Sequence, residues 1–482
     1  MRKFQFLALL FSLLIAACSP NKESIYIITT NDMHATIDAF PKLATLVKQY
    51  EAKGTVLLVD SGDRVSGNAY VDDAEEAGVP IIELMNAVGY DVATLGNHEF
   101  DKGPEVLNTM IERSEFKWIC ANTHSSKTPE LEQSAAFNIN GVDICFVGIV
   151  TTESDGHPLG KASVYEAFTF ENDIDCAQRM ANALASENNF IVLLSHMGYD
   201  MDLRLAQSDT CHYDWIAGGH SHDLKNEDVG TTHISQNNKN LRYATIAELS
   251  IEGGKIISIE YQQVDMSTIE EDAAMRQLVD QIKLSDTGLN EVIATATHDA
   301  THDGVANLTV EALAHYPYPN DFVPEISFYH FGGVRLSEIK KGDIHRVDIL
   351  NNDPFLSTIY LGEMTPEQMR KFILDKYNSG TAERPDKESH YPYFRSDVPY
   401  QIILDEEGNA TEIKFDLEEG RKYRVAMGNY IAESYIDKEI VSKQLHDTNI
   451  SVREAMLHYI NTLTEGYTPD NTIHQTEVKP SK

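Results

Sequence analysis

Five apolar runs in the first half of the chain end in the same way, and this regularity constrains the fold more than any other feature. Ile25–Thr29 is followed by Asn31, Asp32 and His34; Thr55–Val59 by Asp60, Gly62 and Asp63; Val92–Leu95 by Gly96, Asn97, His98, Glu99 and Asp101. Ile191–Leu194 is followed by Ser195 and His196, and Trp215–Ala217 by Gly218, Gly219, His220 and His222. Helical patterns over Pro41–Tyr50, Ile81–Val88 and Ile174–Ser186 lie between such runs, which is the alternation of an α/β architecture. In open α/β sheets ligands bind beyond the carboxyl ends of the strands. Five sets of Asp, Asn and His placed there can meet in one crevice.

Each set carries metal-ligand chemistry. Asp32 and His34 are two residues apart, and His220 and His222 repeat the spacing. Gly62, Gly96, Gly218 and Gly219 let the backbone turn sharply beside a metal. Carboxylate, imidazole and amide donors without thiolate suit Zn, Mn, Fe or Co rather than Ca. One ion cannot use so many donors, whereas two ions sharing a carboxylate can. A lone Asp-x-His would carry nothing; five motifs in this order, each after an apolar run, do.

The set Asp32-x-His34, Gly62-Asp63, Gly96-Asn97-His98-Glu99, His196 and Gly218-Gly219-His220-Ser221-His222 resembles the calcineurin-like metallophosphoesterases. Ser195-His196-Met197-Gly198 and Gly96-Asn97-His98-Glu99-Phe100-Asp101 narrow the resemblance to the bacterial 5′-nucleotidase / UDP-sugar hydrolase family, over residues 24–470. The resemblance implies a four-layer α/β/β/α sandwich, a bridging helix and a second α/β substrate-binding domain. It also implies that Asp32, His34 and His222 hold one divalent metal, that Asn97, His196 and His220 hold another, and that Asp63 bridges them. His98 and Asp101 would be a catalytic pair. The expected chemistry is in-line attack by hydroxide generated at the metals, with His98 stabilising the phosphoryl oxygens or protonating the leaving group. The expected substrate is a nucleoside 5′-monophosphate. The alternatives are a 2′,3′-cyclic-nucleotide phosphodiesterase or UDP-sugar pyrophosphohydrolase and, in another class, a non-catalytic nucleotide-binding surface lipoprotein.

Residues 24–265 are expected to form the catalytic domain, closed by strands within Leu241–Val264 that turn at Gly253-Gly254. Residues 266–289 read as a linker, with Ile269–Leu284 as a solvent-exposed helix bridging two domains. Residues 290–470 form the second domain and residues 471–482 a loose polar tail. Strands are expected over Glu325–Tyr329, Ser357–Leu361, Ala410–Asp416 and Tyr423–Met427, and capping boxes start helices at Thr365 and Ser451. Phe331-Gly332-Gly333-Val334-Arg335 resembles the family's Asn-x-Gly-Gly-x-Arg segment, which makes Arg335 a phosphate or ribose contact. The same resemblance makes Phe394 and Tyr435 the aromatics that stack a base. The chain departs from the family here: His330 replaces Asn, Leu356-Ser357 replaces Gly-Asn, and the Gly-Gly-Asp before the second aromatic is absent.

Arg2 and Lys3 precede an apolar run from Phe6 to Ala17, too short to span a bilayer. It ends in Leu14-Ile15-Ala16-Ala17-Cys18, which resembles the lipobox of bacterial lipoproteins. That resemblance implies that residues 1–17 are a signal peptide, that Cys18 is lipidated, and that residues 18–23 tether an exported protein to the cell envelope, on the periplasmic face or cell surface. The net charge of −36 repels nucleic-acid phosphates and excludes a general DNA or RNA binder. Hydrophobic residues at 42% exclude a disordered acidic chain. Cys120, Cys145, Cys176 and Cys211 show no Cys-x-x-Cys spacing, so no thiolate zinc site and at most one disulfide are expected.

Overall fold

The structure is a computed structural model that describes residues 23–153, 156–158, 162–185, 190–354, 356–383, 394–436 and 445–479. The expected signal peptide and Cys18 lie outside the described residues. Two six-stranded sheets build the first half. One runs Lys255–Asp265, Tyr243–Glu252, Glu23–Thr30, Thr55–Asp60, Val92–Thr94, Lys117–Ile119; the other runs Leu224–Val229, Thr232–Asn237, Trp215–Gly218, Phe190–His196, Val142–Val150, Ser134–Ile139. The strands that carry the motifs pair in parallel; antiparallel hairpins close one edge of the first sheet and both edges of the second, and the parallel strand Lys117–Ile119 forms the remaining edge. The hairpin between Tyr243–Glu252 and Lys255–Asp265 turns at Gly253 and Gly254, both at positive φ.

Side-chain alternation explains why the runs are apolar without interruption. Ile25, Ile27, Leu57, Val59, Val192, Leu194 and Trp215 point between the sheets. Tyr26, Ile28, Leu58 and Ala93 point to the layer containing helices Phe40–Glu51 and Val79–Val88. On the far side Ile191, Leu193 and Ile216 face helix Asp173–Leu184. The layers are therefore α/β/β/α, and all motif-bearing strands end on one side.

The second half centres on a sheet ordered Phe394–Ser396, Ile326–His330, Tyr423–Gly428, Thr358–Met364, His446–Ser451. Helices His302–His315 and Val452–Thr462 cover one face, and Pro366–Glu383 and Asn429–Ile436 the other. The Thr365 capping box is complete: the Thr365 N–H donates to Gln368 Oε1 at 2.9 Å, and the Gln368 N–H to Thr365 Oγ1 at 3.3 Å. At Ser451 only one arm forms, the Glu454 N–H donating at 3.1 Å; the Glu454 carboxylate instead takes the Tyr316 hydroxyl.

Two sequence expectations are corrected. The bridging helix spans Ala273–Ser285 rather than Ile269–Leu284, because the Asp272 carboxylate caps it by accepting the Met275 N–H at 2.9 Å. It is not a free-standing bridge: Met275 and Val279 are buried in the first domain's core, and Arg276 and Lys283 both pair with Asp38. The tail is not loose up to residue 479, since Gln475–Val478 adds a parallel strand to Tyr400–Leu404 and buried Gln475 accepts from Arg395 at 3.0 Å. The four described cysteines are free thiols.

The second domain closes over the strand ends of the first. The Ala69 N–H donates to Asn351 Oδ1 at 2.7 Å, the Tyr70 hydroxyl to Asn290 Oδ1 at 2.5 Å, and Arg453 pairs with Asp73 at 2.7 Å.

Candidate metal centre

Parallel pairing continues past the strand ends and aligns two of the loops. The Ser61 N–H donates to the Thr30 carbonyl at 2.9 Å, Asp32 N–H to Gly62 at 2.9 Å, and His34 N–H to Asp63 at 3.0 Å. Asp32, His34, Asp63, His220 and His222 all lie at positive φ, between 43° and 77°. Such conformations cost about 1–3 kcal/mol each in non-glycine residues and persist only where surrounding bonds over-determine them. At Asp63 it is Glu99 that supplies the restraint. Its buried carboxylate accepts the N–H groups of Asp63 (2.9 Å), Arg64 (2.9 Å) and Gly96 (2.6 Å), tying the second and third loops together. A Cβ on Gly96 would collide with Asp63 Oδ1 and lie 2.5 Å from its backbone N, so only glycine fits there.

The loops bring together all seven residues expected as ligands, in two clusters. In the first, His34 Nε2 and His222 Nε2 are 3.0 Å apart, with Asp32 Oδ1 at 3.9 Å and 3.3 Å from them. In the second, His196 Nε2 is 3.1 Å from Asp63 Oδ2, and His220 Nδ1 is 2.8 Å from Asn97 Oδ1. Asp63, His196 and His220 present donor atoms within 4.8 Å of one another, and Asp63 also groups with His34 and His98. Asp63 thus stands between the clusters, and Asp32 Oδ1 lies 4.0 Å from His196 Nε2.

These residues fit divalent ions. His196 places Nδ1 2.7 Å from the Ser61 carbonyl, while its buried Nε2 turns into the cluster toward Asp63. A carbonyl on one ring nitrogen fixes the tautomer and leaves the other as a donor to a metal. His34 repeats the arrangement, with Nδ1 3.2 Å from the Ser66 carbonyl. The donor set of carboxylate, imidazole and amide suits Zn, Mn, Fe or Co.

Burial opposes charge on Asp63, His196 and His34, and neighbouring groups of opposite charge overcome it at the first two. His196 and His98 hold the Asp63 carboxyl well below its usual range against that burial. In return, although burial opposes it, Asp63 and Asp32 raise His196 to about 10. His34, where burial dominates, falls to about 4. The cluster therefore attracts positive charge, and a cation would displace the His196 proton.

His98 stands beside the clusters. Its Nδ1 is 2.7 Å from Asp101 Oδ2, an oxygen that also accepts the Ser66 hydroxyl at 2.6 Å, and its Nε2 lies 4.0 Å from Asp63 Oδ2. Burial opposes its charge, but Asp63 and Asp101 raise it to about 9. Arg335, from the second domain, reaches the same place. With Pro354 it lines a cavity of about 110 Å³ together with His34, Ser66, His98 and His222.

Phe394 and Tyr435 are corrected. Their relative exposures are 0% and 3%, and both pack on Phe372 within a hydrophobic core. A base needs an open ring face, and neither ring offers one. Sequence reading missed Glu153, whose Oε1 is 3.1 Å from His220 Nε2. The available signal was a sixth strand: Val142–Val150 runs parallel to Phe190–His196 and so ends on the same side, three residues before Glu153.

Residues 25–224 match the calcineurin-like phosphoesterase family, and residues 252–436 match the 5′-nucleotidase C-terminal domain. The chain is 24% identical to the trifunctional nucleotide phosphoesterase protein YfkN of Bacillus subtilis over 88% of its own length, but spans only 34% of that protein. Against the 5′-nucleotidase of Vibrio vulnificus it is 23% identical, over 83% of this chain and 85% of the other. Among solved structures, a 5′-nucleotidase precursor from Thermus thermophilus shares the fold, with a TM-score of 0.72 at 19% identity over 94% of this chain and 99% of the other.

Proposed function

The chain belongs to the two-domain 5′-nucleotidase family of calcineurin-like phosphoesterases, and from that premise we propose that it is a dinuclear-metal phosphohydrolase that releases inorganic phosphate from nucleoside 5′-monophosphates. The observation that carries the reading is the gathering of seven oxygen and nitrogen ligands in two adjoining clusters, beside a cavity lined by His34, His222, His98 and Arg335. Two divalent ions held there would neutralise phosphoryl charge as Lewis acids and activate a water at neutral pH.

The chain's own side chains do the remaining work. Arg335 binds a non-bridging phosphate oxygen and orients the ester beside His34, His98 and His222, which line the same cavity. His98, raised to about 9, carries a proton at neutral pH and can donate it toward the transferring group or the leaving oxygen. Asp101 holds the His98 ring and is itself held by Ser66. The local field outweighs the net charge of −36, because distant acidic residues are screened beyond about 8–10 Å.

The signal-like N-terminus and Cys18 support export and lipid anchoring to the bacterial envelope, which would make the enzyme a scavenger outside the inner membrane. Cyclic nucleotides and UDP-sugars, the alternatives that the sequence resemblance raises, are the second substrates to test. The experiment is a phosphate-release panel with the chain from Lys22 onward, stripped by chelator and refilled with Mn, Zn, Co or Mg. Release from AMP or UMP supports the reading. Tight nucleotide binding without release under any metal would instead support a binding lipoprotein.

A further inference from the structure

We propose that Lys239 binds the substrate's phosphoryl group from the first domain, on the same cavity as Arg335 of the second, and thereby selects phosphate monoesters over diesters. The inference rests on the phosphohydrolase reading above and deepens it by naming the class of ester that the site prefers.

Lys239 follows the strand Thr232–Asn237, which pairs in parallel with Trp215–Gly218 and so ends on the side of the metal centre. The turn that carries it is fastened to the loop that carries Asp32. The Asn237 N–H donates to Asn31 Oδ1 at 3.0 Å, Asn31 Nδ2 to the Asn238 carbonyl at 2.8 Å, and the Asn240 N–H to the Asp32 carbonyl at 2.8 Å. The N–H of Lys239 itself donates to Asn238 Oδ1 at 2.8 Å. Asn238, Asn240 and Leu241 all lie at positive φ, between 51° and 59°. Asn tolerates that conformation, but Leu adopts it only under constraint. Backbone strain of this kind is held by the surrounding bonds and gathers at ligand sites. The backbone of Lys239 is therefore fixed relative to Asp32 on both sides.

The Lys239 side chain is half-buried and lines the cavity of about 110 Å³ with His34, His222 and Arg335. Among the described residues on that wall, Lys239 and Arg335 are the only Lys or Arg, and each comes from a different domain. A phosphoryl group that enters so small a space meets both cations.

Charge decides what the pair selects. A phosphate monoester carries close to two negative charges at neutral pH and offers three acceptor oxygens. A diester has lost one of those charges and one of those oxygens. Arg335 presents a planar fork of donors, whereas Lys239 is a compact point charge suited to a single oxygen. Esterifying that oxygen sets the ammonium against a carbon substituent, and a charged donor left without its acceptor in a confined site is penalised.

The test compares p-nitrophenyl phosphate with bis(p-nitrophenyl) phosphate on the metal-loaded full chain, a monoester and a diester with the same leaving group. Lys239→Ala and Lys239→Met, the second keeping most of the aliphatic stem, are expected to lower the monoester-to-diester ratio of kcat/KM about tenfold or more, with metal content retained. Lys239→Arg is expected to restore most of the ratio. Inhibition constants of inorganic phosphate and dimethyl phosphate, read alongside, are expected to shift in the same sense. Ratios that do not move in the Ala and Met variants, ratios that fall as far in Lys239→Arg, or loss of metal with both esters slowed together all overturn the inference and reduce Lys239 to a part of the scaffold. A wild type that prefers the diester overturns it too, while leaving phosphoester hydrolysis standing. A wild type that cleaves neither ester removes both readings.

Discussion

His34 Nε2 and His222 Nε2 lie 3.0 Å apart, although the residues come from opposite ends of the first domain. Burial lowers His34 to about 4, and its Nδ1 faces the Ser66 carbonyl, so a lone pair sits on Nε2 at neutral pH. Two imidazole nitrogens facing each other beside the buried Asp32 carboxylate gather the donor atoms of a cation site.

Metal binding should release protons. With the site free of cations, the carboxylates keep His196 protonated up to about 10, and an ion must displace that proton. Affinity should therefore rise with pH throughout the range below 10, by about tenfold per unit for each proton displaced. Calorimetric titration in buffers of different ionisation heat measures the proton count. An affinity that is flat between about pH 6 and 9 contradicts the assignment of His196 as a ligand.

Replacing His98 by Ala should lower kcat by about 10²–10⁴-fold with metal content retained. His98 loses its proton near 9, and bound cations shift that loss to lower pH. The wild-type rate should consequently fall as pH rises toward 9, and the variant should lack that limb. Full turnover in the variant would remove the proton-donor role.

Glu153 should act as a positioning residue. By accepting from His220 Nε2 it leaves Nδ1 as the nitrogen turned toward Asn97 and the second cluster. Loss of such an outer partner typically costs 10–100-fold in metal affinity. Glu153→Ala should show about that loss and Glu153→Gln should recover most of it, measured by competition with a chromophoric chelator. Equal affinity in both variants and the wild type contradicts the role.

Gly96→Ala should empty the centre without unfolding the chain. The new Cβ displaces Asp63 and the loop that Glu99 holds, a local overpacking worth about 1–3 kcal/mol. Thermal denaturation should show a cooperative transition at reduced Tm, and metal analysis should show loss of bound ions. Retention of metal would mean that Asp63 is not needed where the geometry puts it.

The centre was legible because its residues lie at strand ends, where side-chain chemistry and local backbone geometry are both encoded nearby. Asp32, His34, His220 and His222 needed only an apolar run before them to be placed. Glu153 escaped because it is one carboxylate in an acidic chain, and only the parallel register of Val142–Val150 with Phe190–His196 aims it at His220. The second domain was less legible for the same reason. His330 and Tyr430 lie 100 residues apart and meet only because their strands pair. Phe394 and Tyr435 were assigned by likeness to a motif, and packing against Phe372 sealed them into a core. The bridging helix looked exposed because its charged face is long, but Met275 and Val279 suffice to dock it on the first domain.

Elemental analysis by plasma mass spectrometry tests the central claim most directly, made on the purified chain and on Asp63→Asn beside it. The wild type should carry about two divalent ions per chain, and the variant should lose metal and phosphate release together, since Asp63 stands between both clusters. A wild-type chain that binds no divalent ion after careful reconstitution, or an Asp63→Asn chain that keeps both its metal and its turnover, would contradict the account.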